Sequence, residues 1–496
     1  MIEITKMRRE GRHLHAIMLR EAPEAPKLEG MARGPVMRNQ GEKRYCIIGA
    51  GACGLAVAKN FAARGIPFDC FEALADVGGI WNPDSPHAIY GPTFLNSSDR
   101  LTRYLGFPFP EEGPYYLSAA QAEDYLRDYA REFGLYDRIK FNSRVTSAER
   151  AGEGWQIRIK GDRRPRSYAG LVVANGHHWD PNLPHHEGRF DGEVLHSHDV
   201  KSKEQLRGKR VLVAGCGNSA VDILSDAAFD GAKAVHSMRR SYHFFPKVLF
   251  GKPADVVIDR MTRWHLPRAL MYGIYTLGMR VLVGRHERFG LPKPDHGLFE
   301  AHPTAGNLYL DHLVHGRIVI KPDIDRLESD RVRFVDGSEE KIDLIIYATG
   351  FRVSFPFMDK SYILNEDGTS KLFIHTFDRK HDDLFVVGLF DPAEGGAWQI
   401  ADYQAQLIAS FIVACAKDPE RAAWFRALKA RAKPDVGHGI TYKDTPWHKF
   451  EIQHYRFRRH MKRLLRMFGE CAKMPLAEAV SATTAKGVDA KLKLAS

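Results

Sequence analysis

The 496-residue sequence predicts an α/β fold built on two parallel-sheet units. Two segments and their separation carry that prediction. From Arg44, RYCIIGAGACGLAVAKNFAARG sets an apolar β run, a glycine turn and an amphipathic helix in succession. The same order returns from Lys209 in KRVLVAGCGNSAVDILSDAAFDGA. About 165 positions separate the two starts, too many for one mononucleotide fold, so each heads its own Rossmann-like domain.

The first turn holds Gly49, Gly51 and Gly54 in G-x-G-x-x-G, directly after Tyr45–Ile48. Glycines there let the backbone turn tightly and come close to a pyrophosphate, and the following helix start offers N–H groups to phosphate. A second β run, IPFDCFE, ends in Glu72. A carboxylate about 20 residues past the turn binds ribose hydroxyls, which suits an adenosine without a 2′-phosphate, such as FAD. The second turn holds Gly215, Gly217, Asn218, Ser219 and Ala220 in GCGNSA. Its next strand, AKAVHSMRR, ends in Arg239 and Arg240 where an acid would repel a 2′-phosphate. The second unit therefore reads as the NADPH site. The competing reading is two solvated arginines at a strand end.

Composition sets outer limits. The chain is 44% hydrophobic and 27% charged, ordinary for a globular protein of two or three domains. Its net charge of +11 is spread along the chain, so phosphorylated cofactors account for it better than nucleic acid does, and no nucleic-acid partner is expected. Six cysteines lie scattered without a C-x-x-C pair, the pattern of reduced core thiols in a cytoplasmic protein. Residues 1–42 show no periodicity and read as a mobile extension in which Met31 and Met37 are alternative starts. They lack the apolar core of a secretory signal. The apolar stretch ALMYGIYTLGMRVLVG, from Ala269, contains Arg280 and is too short to span a bilayer, so a buried or surface-lying helix is expected. Basic helices split by a Pro/Gly loop are expected over 425–470, packed on the domain surface, with a weak membrane-surface contact as a secondary expectation. Residues 466–496 read as a tail.

Beyond the glycine turns, VGGIW from Val77 and YGPTFLNSSDRLTRYLGFPFP from Tyr90 resemble flavin-containing monooxygenases and the related plant auxin-synthesis enzymes. The run from Phe190 to Val200 resembles that family's F-x-G-x-x-x-H-x-x-x-[YF] signature, through Gly192 and His196, but ends in Val200. It also lacks the Trp-Pro ending of the Baeyer–Villiger version. Ala348-Thr349-Gly350 resembles the family's A-T-G linker and Ala174-Asn-Gly176-His177-His178 its counterpart. The resemblance covers most of residues 43–465. It implies that LVVANG and IDLIIYATG carry the chain out of and back into the FAD domain. That domain is then discontinuous, 43–178 and 351–465, with the NADPH domain inserted at 179–350.

The resemblance also implies the chemistry. NADPH reduces FAD, O2 adds at flavin C4a, and one oxygen atom passes to a small soft nucleophile by N- or S-oxygenation, with O2 and an amine, thioether or ketone as small-molecule partners and a homodimer left open. It places Gly79, Trp81, Thr349, Gly350, Gly388 and Gln404 at the cofactors, and Asn96 beside flavin C4a as the catalytic carboxamide. A helix from near Gly396 would aim its positive end at the flavin. A plain turn role for Asn96 remains open, since Asn-Ser-Ser is good turn chemistry. No metal is expected from His177, His178, His185 and His186, because no carboxylate or cysteine nearby completes a ligand set. His196 is expected to hold the linker. Two alternatives stay open: Baeyer–Villiger oxidation of a ketone, and a non-catalytic NADP-binding scaffold, which flavin absorbance would separate. A disulfide reductase needs a C-x-x-C or C-x-x-x-x-C dithiol, and neither occurs.

Overall fold

Two five-stranded parallel sheets, each fed by one glycine turn, organise the molecule. The computed structural model describes residues 43–110, 113–264 and 266–469. The proposed N-terminal extension, with Met31 and Met37, and Cys471 lie outside the described residues.

The first unit begins with β1 (Tyr45–Ile48), α1 (Ala52–Ala63), β2 (Phe68–Phe71), α2 (Ala119–Glu132), β3 (Ile139–Lys140) and β4 (Gly170–Val173). The residues of β1 and β4 are all buried, as continuous apolar runs are when helices cover both faces of a parallel sheet. The second unit comprises β5 (Glu193–His196), β6 (Arg210–Ala214), α3 (Asn218–Asp230), β7 (Lys233–Ser237), α4 (Ala254–Thr262), α5 (Arg268–Leu282), α6 (Asn307–Val314), β8 (Ile318–Lys321) and β9 (Leu344–Tyr347). Its sheet runs β5-β9-β6-β7-β8. The chain then returns to the first unit with β10 (Leu384–Val386), α7 (Ala397–Lys417), α8 (Pro419–Arg431) and α9 (His454–Gly469). The first sheet is thereby ordered β10-β4-β1-β2-β3, so its edge strand comes from beyond the second unit.

The outward and returning chains meet where Asp180–Pro181 pairs antiparallel with Phe351–Arg352. His196 braces this crossing: its Nε2 lies 3.0 Å from the Gly350 carbonyl and its Nδ1 accepts from the His198 N–H at 3.3 Å. Burial pushes the imidazole down to about 4, so it is neutral at ordinary pH and Nε2 carries the proton. Val200, the departure from the family signature, is fully buried in the core of the second unit.

Long apolar faces position the C-terminal helices. Asn60 of α1 donates to Asp402 of α7 at 2.7 Å, satisfying a carboxylate buried between the two helices. In α9, Phe457, Met461, Leu464, Met467 and Phe468 turn inward. The tail expected from 466 therefore starts no earlier than the end of this helix, because Met467 and Phe468 continue its apolar repeat. The apolar stretch from Ala269 forms most of α5, which lies on the surface. It turns Met271, Tyr272 and Tyr275 toward a small chamber and leaves Leu277 65% and Val281 76% exposed. Among the described residues no helix is long and apolar enough to cross a membrane.

Candidate active site

The three glycines of the first turn do different work. Gly49 takes φ +99°, and a Cβ there would stand 2.6 Å from the Ala174 carbonyl oxygen. A Cβ on Gly54 would stand 1.8 Å from the Gly49 oxygen, so this glycine lets α1 pack against the turn. Gly51, the N-cap of α1, has φ −71°, and its nearest would-be neighbour is Gly79 Cα at 3.5 Å. Neither packing nor backbone conformation requires glycine there. Its free side faces a cavity of about 500 Å³ that also touches Gly49, Glu72, Gly79 and Trp81. Glu72 is fixed at the rim, accepting from the Ala50 and Leu74 amides at 2.6 and 3.0 Å. Burial raises its pKa and those amides pull it back. A cradle that a side chain at Gly51 would fill, beside a carboxylate held for hydroxyl groups, fits the adenosine and pyrophosphate of FAD.

Asn96 lines the same cavity, and its exposed side chain makes no hydrogen bond within the described residues. The carboxamide thus closes no turn. Its segment is clamped by the second unit. Tyr90 donates to Asp226 at 2.5 Å, Thr93 to Asp222 at 2.8 Å, and the Ser98 amide to Asp255 at 2.6 Å. None of these acids stood out in the sequence, because a single Asp on a helix signals nothing until its partner across the interface is known.

The same cavity is lined by a group of acids and imidazoles. His177 Nε2 is 3.2 Å and His178 Nε2 3.3 Å from Asp391 Oδ1. Burial raises the Asp391 carboxyl, but the two imidazoles hold it well below the usual carboxylate range. The carboxylate that sequence proximity denied these histidines comes from the loop after β10. The pairing of Asp391 with Glu451 in register brings a second acid alongside, and His302 Nδ1 sits 3.5 Å from Glu451 Oε1. Burial lowers the His302 pKa, Glu451 with Asp391 and Glu394 together outweigh it, and the net shift is upward. Glu394, also on the cavity, is pushed up to about 7 by burial. From residues 241–305, whose sequence carries no decisive polar code for a substrate, Lys247, Asp255 and His302 supply polar groups to the cavity.

The second glycine turn lies more open. Gly215 takes φ +125° against the Ala348 carbonyl, whereas a Cβ on Gly217 would meet nothing within 4 Å. Asn218, the first residue of α3 after the Gly217 N-cap, accepts from the Ala305 amide at 2.9 Å while lining the cavity. Ser219 is exposed. Arg239 is 72% exposed, with Asp323 at 4.0 Å, and Arg240 is half-buried. Exposed glycine backbone at a helix start, followed by two arginines past β7, fits the phosphates of NADPH.

Of the expected cofactor contacts, Thr349, Gly350 and Gln404 stand off the cavity, as do Gly54 of the first turn and Gly215, Gly217, Ser219, Arg239 and Arg240 of the second unit. Thr349 donates to the Asn182 carbonyl at 2.6 Å, and Gly350 accepts from the Asn182 amide at 3.0 Å, so both serve the crossing between units. Gln404 is fully buried in α7, accepts from the Gly388 amide at 3.1 Å and donates to Thr376 at 2.7 Å. It holds the Gly388 loop, and Gly388 itself does line the cavity, as do Gly395, Ala397 and Trp398 at the start of α7.

Comparison with known proteins matches this arrangement. The family model described as flavin-binding monooxygenase-like covers residues 42–444. Flavin-containing monooxygenase 5 of Oryctolagus cuniculus is 30% identical over 388 residues, 73% of this chain and 72% of that protein. Indole-3-pyruvate monooxygenase YUCCA1 of Oryza sativa subsp. japonica is 32% identical over 352 residues, 69% of this chain and 85% of that protein. Among solved structures, a steroid monooxygenase bound to NADP shares the fold at TM-score 0.62 and 17% identity, over 87% of this chain and 98% of that one.

Proposed function

The chain belongs to the flavin-binding monooxygenase-like family and is an FAD- and NADPH-dependent monooxygenase; from that premise we propose that it oxygenates a small soft nucleophile at nitrogen or sulfur. FAD supplies O2 activation with the hydride of NADPH. One observation carries the proposal: the Gly51 cradle, the unpartnered Asn96 carboxamide and Asn218 of the second unit all face one cavity. Gly49, Gly51, Gly79, Trp81 and Glu72 would hold FAD, and Gly217, Asn218, Ser219, Arg239 and Arg240 would hold NADPH. Asn96 would donate a hydrogen bond to the oxygen under transfer, while Thr349, Gly350 and Gln404 act through the backbone they brace. The FAD domain would be residues 43–178 and 351–465, around an NADPH domain at 179–350. A signature ending in Val200 without Trp-Pro favours nitrogen or sulfur over ketones. NADPH oxidation, oxygen uptake and product analysis against amines, thioethers and ketones test this. N-oxides or sulfoxides are expected, and ester or lactone as the dominant product would overturn it.

We further propose a cytoplasmic enzyme that touches a membrane surface. Free, buried Cys46, Cys70 and Cys216 suit a reducing compartment. The apolar surface lies on α5, not on α9, whose apolar side is buried. Leu270, Leu277 and Val281 stand exposed on α5, beside Trp264 and exposed Arg260, Arg263 and Arg280. Co-sedimentation with phosphatidylserine vesicles should fall for Leu277→Glu. Equal binding by the variant would place any contact elsewhere.

A further inference from the structure

His177 and His178 have no third ligand nearby in sequence, and the fold supplies one. Asp391 Oδ1 lies 3.2 Å from His177 Nε2 and 3.3 Å from His178 Nε2, and Oδ2 lies 3.3 Å from His177 Nε2. The ligand atoms of the three residues all lie within 4.8 Å of one another. All three residues wall the cavity, so a cation among them would keep a face toward it.

The spacing is compatible with a bound cation. Charge-assisted N–H···O bonds settle at roughly 2.7–2.9 Å. Tetrahedral ligands at zinc bond lengths of roughly 2.0–2.2 Å stand roughly 3.3–3.6 Å apart. An octahedral shell at roughly 2.0–2.1 Å sets neighbours roughly 2.9–3.0 Å apart. The observed 3.2–3.3 Å separations sit at the short edge of the second and also suit an ordinary long hydrogen bond, so the spacing admits a cation and the donor set argues for it. Two imidazoles and a carboxylate with one open position are also a donor set that zinc takes.

We propose that His177, His178 and Asp391 form a zinc site whose fourth position opens on the cavity and takes water or an oxygen donor of the substrate, such as a carbonyl or carboxylate. The site comes from both halves of the first unit, the histidines after β4 and the aspartate after β10. Zinc binding would therefore tie the two strand ends together in addition to presenting a Lewis acid to the cavity.

The test is metal content. Flavin-loaded protein is equilibrated with zinc, dialysed against metal-free buffer and assayed by inductively coupled plasma mass spectrometry, with affinity from competition against a chromogenic zinc chelator. Stoichiometric zinc is expected. His178→Ala and Asp391→Asn should each weaken it by about 100-fold or more, at least the upper range for loss of an outer-shell partner. His186→Ala should not. Cobalt substitution should give the strong visible bands of a tetrahedral site. His178 is 34% exposed, so His178→Ala decides the matter if Asp391→Asn does not fold, with circular dichroism as the check. No zinc on the wild type, equal zinc on His178→Ala, or preferential retention of ferrous iron would overturn the assignment. Flavin-stripped protein is run in parallel. Zinc retained by a chain that never binds flavin would count against the proposed function and leave this site standing.

Discussion

Gly51 and Gly54 belong to one motif but should fail in opposite ways. At Gly51, φ is −71° and a Cβ finds ordinary contact at 3.5 Å, so alanine fits. Replacing glycine stiffens the unfolded chain, worth about 0.4–1 kcal/mol, while alanine is a poorer N-cap by about 1 kcal/mol. The flavin-stripped Gly51→Ala protein should thus stay within about 1 kcal/mol of wild type. At Gly54 the Cβ would sit 1.8 Å from the Gly49 oxygen, so α1 and the turn must part by more than an ångström. Overpacking of about 1–3 kcal/mol, and more where backbone is the obstacle, outweighs a helix-propensity gain of about 1 kcal/mol. Flavin binding reverses the order. The methyl at Gly51 holds the pyrophosphate off the backbone, and losing one charge-assisted hydrogen bond costs about 1.5–3 kcal/mol, ten- to a hundredfold in affinity. Urea unfolding of the stripped proteins by circular dichroism, and FAD titration by flavin fluorescence, read the two effects separately. The reasoning fails if Gly51→Ala is destabilised as much as Gly54→Ala, or if it keeps wild-type FAD affinity.

Other expectations follow from neighbouring residues. Asn96→Ala should leave anaerobic flavin reduction by NADPH within a few-fold of wild type while aerobic turnover diverts to hydrogen peroxide; unchanged coupling would remove Asn96 from the oxygen-transfer step. Arg239→Ala should raise the KM for NADPH about tenfold, the lower end for a charge-assisted contact because the side chain is exposed, and leave that for NADH unchanged. Equal effects on both cofactors would remove the assignment. His375 is buried without a hydrogen-bond partner for either ring nitrogen among the described residues, and burial lowers its pKa from 6.5 to about 4. Between those values the unfolded chain binds the extra proton, so this histidine destabilises the fold progressively as pH falls from about 6.5 to 4 and not above. His375→Leu should therefore gain stability relative to wild type across that window in urea melts, and a difference constant with pH would refute the titration.

What the sequence showed was local. A glycine turn, a β run ending in Glu72 and a helix start are each written within some twenty residues, and all lie together at the cavity. A family motif marks a neighbourhood, and only packing tells whether a side chain faces the cavity or, like Gln404 and Thr349, hydrogen-bonds a neighbouring segment. Asp391, Glu451 and His302 were invisible for a related reason. They come together through the in-register pairing of Asp391 with Glu451, which no periodicity announces. One cue existed: Asp391 follows a buried parallel strand by a few residues, at the carboxyl end where ligand groups gather in open α/β sheets.

The edge strand of the first sheet bears on how the chain is made. β10 pairs with β4 through Leu384 and Leu171, roughly two hundred residues apart. At ribosomal rates of about 5–20 residues per second, β4 waits roughly 10–40 s for its partner. Every strand of the second sheet is synthesised in that interval. The inserted unit can close its sheet on the ribosome while β1 to β4 remain one strand short, with an unpaired β4 edge and the α1 face that α7 will cover still bare. A stalled or truncated chain would then present a finished nucleotide unit joined to a sticky half-sheet, a substrate for chaperones before it is an enzyme.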